Sequence, residues 1–429
     1  MRSFSVCVLA AMLLLVGWQF AVPDSVRGND SPKAEKTTSD RTTSTNSAES
    51  LAVRQGVDWL VSVQGADGGW GQDGGETSYV RSAENLETNG NDVANTAVAT
   101  HALLRAGHTA TKGKYREPMR RGVEFILRNV ESSPPEGLAI TSVTGTQIQR
   151  KLGPYIDTFL TSMLLAEIDG EMGDAKSNRR VRAALEKCVR KIEENQQHDG
   201  SWNISGGWAP ILGTSMASRS LFLADKKGVE VETTVMAKVD EYTKDSARFG
   251  AEGFRSGPSD AGRYGGGVAG GVGGGVAGGV IGGIPGGAAG TVTIEVSAVA
   301  TEAAASSAGV ALYKGAQVIE QLSRTEADRE KNAFEIAAVT ESLDNANFTS
   351  GFGSMGGEEF FSYLNISDSL HRSGGEPWNK WNTDIKTKLV KLQNEEGSWA
   401  GHHCITGRVA VTSAAVLTLL VENSDVSKH

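Results

Sequence analysis

The chain has 429 residues and a formal charge of −9. That length is enough for one large core or two domains. The acidic balance, with no run of basic residues, excludes a general nucleic-acid binder, because phosphate binding needs concentrated Lys and Arg.

Arg2 precedes an apolar stretch from Phe4 to Val22 and then polar sequence, which reads as a signal peptide over residues 1–22 with cleavage near Ala21. Export to a periplasm or the outside follows. The alternative is an uncleaved N-terminal anchor, which would be the chain's only membrane contact. Residues 23–48 are rich in Ser, Thr, Asp and Lys without apolar periodicity, so they read as a disordered linker. From 49 to 424 helical periodicity recurs. One set of segments, about 50–64, 116–130, 178–196, 231–246, 325–343 and 380–394, carries mixed apolar and charged faces, as helices half in solvent do. A second set, about 92–106, 154–168, 211–224, 295–315, 358–372 and 408–422, is richer in Ala, Thr, Ser and Leu and reads as buried.

A turn marks the joints between the two sets. Gln64-x-x-Asp67-Gly68-x-Trp70 recurs as Gln196-x-x-Asp199-Gly200-x-Trp202 and Gln393-x-x-Glu396-Gly397-x-Trp399. Glycine lets the chain reverse, tryptophan anchors it, and the acid bonds nearby amides. Degenerate copies stand at Glu136-Gly137-Leu138, Glu252-Gly253-Phe254 and Ser350-Gly351-Phe352. Six turns with alternating helix types predict an all-α fold, an (α/α)6 toroid of six inner and six outer helices closed first repeat to last. The stretch 265–290, almost all Gly, Val, Ala and Ile, reads as an insertion in one repeat loop. Cys188 and Cys404 are expected to be free thiols.

These turns, with Arg54-Gln55-Gly56-x-x-Trp59-Leu60 upstream of the first, resemble the repeats of squalene–hopene cyclases and protein prenyltransferases. The resemblance implies the α/α toroid and leaves activity open. Class II cyclases protonate their substrate with the middle acid of Asp-x-Asp-Asp-Thr-Ala. Here Asp92-Val93-Ala94-Asn95-Thr96-Ala97 puts a methyl group at that position, so protonation-type cyclisation is not expected. The prenyltransferase zinc set of Asp, Cys and His is not matched, since Phe360 stands at the thiolate position of Glu358-Glu359-Phe360.

The resemblance implies that inner-helix N-termini share one rim, near which Asp92, Asp157, Glu358, Glu359, His402 and His403 would lie. Asp92, Glu358 and Glu359 are candidate acids, whereas helix capping is the plainer role for carboxylates at such positions. Asp92, Asn95, Asp157, Phe360, Tyr363, His402 and His403 are the candidate ligand-binding residues. His402-His403-Cys404 is the densest metal-capable group, but adjacent histidines point apart, and no metal or cofactor is expected. The expected role is binding of a hydrophobic small molecule or a protein partner. The alternative is an enzyme acting on an isoprenoid or other apolar substrate.

Overall fold

The computed structural model describes residues 38–73, 90–202, 204, 210–255, 311–351, 356–402 and 405–423. The chain divides into two compact units at Thr43 and Ser44. Of the first unit only residues 38–43 are described, and the helical assembly belongs to the second. The leader at 1–22, the Gly-rich stretch 265–290, His403 and Cys404 lie outside the described residues.

Among the described residues all regular structure is helical, apart from an isolated bridge between Trp70 and Asp92. One set comprises α1 (Thr38–Ser62), α3 (Arg116–Ser132), α6 (Ala175–Glu194), α8 (Thr233–Arg255), the pair α10 (Glu326–Lys331) and α11 (Ala333–Ser342), and α14 (Gly375–Leu392). Most of these bury one stripe, though α10 buries no residue and α11 only Val339. In α6 it is Val181, Ala184, Leu185, Cys188, Val189 and Ile192, joined by Lys191. The other set is α2 (Val93–Arg105), α5 (Ile156–Ile168), α7 (Pro210–Lys226), α9 (311–322), α13 (Gly357–Ser373) and α15 (Arg408–Leu419). In α5 every residue but Glu167 is buried, and in α15 every residue but Arg408. Their Ala, Ser and Thr side chains let neighbours approach on all sides. Accordingly α15 packs on α2, α2 on α5, α5 on α7, and α13 on both α15 and α7. The last helix thus reaches the first repeat. Cys188 is a free, buried thiol.

The three Trp turns share one set of bonds. Each indole Nε1–H donates, at 2.7 Å, to a carbonyl ten residues earlier: Trp70 to Leu60, Trp202 to Ile192, Trp399 to Leu389. Each Gln Nε2 donates both within its own turn and to another outer helix. Gln64 reaches Gly68 and Pro118 (2.8 and 2.9 Å), Gln196 reaches Gly200 and Val235 (3.1 and 2.9 Å), and Gln393 reaches Gly397 and Ala52 (2.8 and 2.9 Å). Gly68, Gly200 and Gly397 have φ of +93°, +88° and +96°, and a Cβ on any of them would come within 2.7 Å of the carbonyl oxygen of Arg121, Lys238 or Gln55. Glycine is therefore required twice, for backbone conformation and for close approach. Asp67 and Asp199 accept from the amides of Gly69 and Ser201, both at 2.9 Å, while Glu396 accepts from the Ser398 hydroxyl at 2.7 Å.

Several expectations need correction. Residues 38–48 are helical, not an unstructured linker, because a helix already nucleated in α1 extends at one hydrogen bond per residue. No turn forms at Glu252-Gly253-Phe254, since α8 continues through it to Arg255. The segment 325–343 is not one helix. It breaks at buried Asn332, whose side chain bonds the carbonyls of Leu322 and Asp328. The described part of α9 runs 311–322, beyond the expected end at 315, because Glu320 and Gln321 are buried through pairing and so conceal the helix in an apolarity pattern. A short helix, α4 (Gln147–Leu152), was not anticipated.

Candidate functional site at the inner-helix N-termini

Asp92 is the N-cap of α2. Its Oδ1 accepts from the Asn95 amide and its Oδ2 from the Asn95 side chain, both at 2.8 Å. Asp157, in the first turn of α5, accepts from the Ala94 amide at 3.0 Å and from Gln149 Nε2 at 2.7 Å. Two carboxylates thus serve one helix end, and both are 1 % exposed. Burial, reinforced by the neighbouring Asp157, raises the Asp92 carboxyl to about 7. Burial raises Asp157 to about 6. Asp92 therefore holds a proton through mildly acidic pH.

Helix α4 closes over this acid pair. It packs on α2, α5 and α7, and Gln149 holds Asp157. Gln147 Oε1 accepts from the amides of Thr406 and Gly407, at 3.0 and 3.1 Å, just before α15. Gln72 accepts from the Gln147 amide at 2.7 Å. Thr146 and Gln149 form a capping box that starts α4. None of Gln72, Gln147 or Gln149 stands out in sequence. The Thr146-x-x-Gln149 spacing was the one available signal.

Of the other candidates only Asn95 joins this pair. Glu358 is buried at the start of α13, where its Oε2 accepts from the Ile405 amide at 3.3 Å. Glu359 is fully buried beside Gly351. Phe360 and Tyr363 are buried with ring centroids 6.2 Å apart, and the Tyr363 hydroxyl donates to the Thr349 carbonyl at 2.6 Å. Tyr363 also lies 6.0 Å from the Trp381 ring, so it is packed within the α12 (Ala346–Thr349), α13 and α14 layer. His402 is exposed. Asn95 is buried and orients Asp92.

Sequence reasoning missed a second buried cluster toward the C-terminal ends of the inner helices. Arg105 bonds Glu167 at 3.0 Å and Asp368 at 3.2 Å. Arg219 also bonds Asp368, and Asn365 at 3.0 Å. Glu320 receives Arg372 at 2.8 Å and lies 3.6 Å from Arg324. His101 meets Glu167 at 2.8 Å. Burial opposes ionisation of Glu320, yet Arg372, Arg219 and Arg324 hold it down at about 2. His101 and Arg105 likewise hold Glu167 well below the usual carboxylate range against the opposing effect of burial.

Residues 39–146 match the family model of the squalene-hopene cyclase C-terminal domain. The match spans α1 to α3, the first Trp turn and Asp92, and it bears out the resemblance read from those residues. No curated protein matches the chain.

Proposed function

We propose that the chain is an exported (α/α)6 toroid, six inner helices within six outer ones, that serves as a binding scaffold for a protein partner and does not cyclise terpenoids. One observation carries this reading. The inner helices converge on ion pairs among Arg105, Arg219, Arg324, Arg372, Glu167, Glu320 and Asp368, where an isoprenoid pocket would need apolar walls. Closure of α4 over the opposite end supports it further. A second reading, an enzyme with an apolar substrate, is favoured by the protonated Asp92. The deciding experiment incubates the purified protein with squalene or oxidosqualene and examines native mass spectra of the untreated protein. Absence of cyclic product and of any co-purified terpenoid is expected. A cyclic product lost in Asp92→Asn overturns the scaffold reading and installs the second.

A further inference from the structure

Neighbouring elements meet along grooves, narrower where α3 packs on α6. α11 and α14 instead flank a groove of ≈ 620 Å³, against ≈ 380 Å³ between α3 and α6 and ≈ 280 Å³ between α7 and α8. Ile336, Leu343 and Trp381 give it apolar walls. α11 is apolar but buries only Val339, and its Phe334 is 66 % exposed. An apolar face left in water on a helix of this composition is the mark of a surface that is covered in use.

The charge around the groove selects the occupant. Its charged lining is Glu341, Asp344, Glu376 and Asp384 against Arg329 and Lys380. Lys380 is already paired with Asp344. Glu341 and Glu376 form no ion pair with another described residue, Asp384 adds its charge to that of Asp344 beside Lys380, and Arg329 Nη1 is turned to the Ser323 carbonyl at 3.1 Å. An apolar slot between two helices with an acidic border suits an amphipathic helix with a basic flank.

We propose that the α11–α14 groove docks a basic amphipathic helix of a protein partner. The apolar face would lie on Ile336, Leu343 and Trp381, and Lys or Arg side chains would meet Glu341, Glu376 and Asp384. This rests on the scaffold reading and names its contact surface.

The test uses the full chain and two synthetic helical peptides, identical on their Leu face and bearing Lys or Glu on the other. Fluorescence anisotropy is read at low and at 0.5 M salt. The Lys peptide is expected to bind, to lose affinity with salt, and to lose on the order of tenfold in Ile336→Asp and in Glu376→Lys/Asp384→Lys. Glu376 and Asp384 are exposed and Ile336 is half-buried, and circular dichroism checks that the variants keep their helices. Equal binding of the Glu peptide, or binding unchanged by either variant, overturns the groove while leaving the scaffold reading intact. A dimer of the chain dissociated by Ile336→Asp also overturns it, since the occupant is then a second copy. A co-purified terpenoid in the earlier experiment removes the scaffold reading without altering the peptide result.

Discussion

Asp92 carries a proton at pH values where an exposed aspartate has lost it, and this has a cost with a definite sign. In the unfolded chain the group ionises near its ordinary value of 3.8, whereas in the native protein it ionises at about 7. Below pH 4 both states are protonated and Asp92 does not weaken the fold. Between pH 4 and 7 the unfolded state gains by releasing the proton, so stability falls as pH rises. Asp92→Asn removes this dependence and keeps an acceptor for the Asn95 amide. Chemical denaturation should find the variant gaining on the wild type by a few kcal/mol, to order of magnitude, between pH 4 and 8. A difference independent of pH would refute the buried-acid account. Trp202 works by bulk and by one bond: it is 4 % exposed and its indole donates to the Ile192 carbonyl at 2.7 Å. Trp202→Ala should cost about 3–5 kcal/mol in reversible denaturation. A loss under about 1 kcal/mol would mean that the turn is not anchored by its ring.

At the scale of elements, α4 is held by glutamines. Gln147→Ala strips the buried amides of Thr406 and Gly407 of their acceptor, which should cost about 2 kcal/mol or more. Amide exchange at Thr406 and Gly407 should accelerate together, and unchanged exchange at both would show that α4 does not clamp the start of α15. Such a helix is hard to read from sequence, being six residues long, with its main contacts to segments far along the chain. The long elements were legible because their signal is local. α5 is apolar all round, α6 carries a single stripe, and the Gln-x-x-Asp-Gly-x-Trp turn carries its own stop. Elements whose burial depends on pairing escaped the pattern. Glu320 and Gln321 look like solvent-facing residues, yet they sit inside because Arg372 and Asp240 meet them. The site shows the same division. Asp92 and Asp157 were visible as residues at helix starts, but their convergence on one helix end depends on α5 packing against α2, which no local spacing encodes. Gln64, Gln196 and Gln393 were visible as a repeat without a role, because the carbonyls they reach belong to another repeat.

For the molecule as a whole, the Gln contacts chain repeats together, and the bond from Gln393 to the Ala52 carbonyl ties the last turn to α1. α15 is also seated on α2, so the last repeat packs against the first. Where residues of α2, α7 and α13 meet, charged side chains are buried together. Asp368 is pivotal, because α13 delivers its two oxygens to Arg105 of α2 and Arg219 of α7. All three residues are at most 4 % exposed. Removing the acid leaves two guanidinium groups buried with less than their share of negative charge, and a stranded buried ion costs more than the intact pair contributes. Asp368→Asn keeps the volume and should destabilise by about 3–5 kcal/mol, with loss of a single cooperative transition if the repeats then melt separately. Replacing Asp368, Arg105 and Arg219 together by Leu, Met and Met should recover much of that loss, since no guanidinium is then stranded and Glu167 keeps His101. Thermal and denaturant melts of the two variants separate the explanations. Equal destabilisation would show that the cluster matters for its shape, whereas recovery in the triple variant would show that the cost lies in the unpaired arginines.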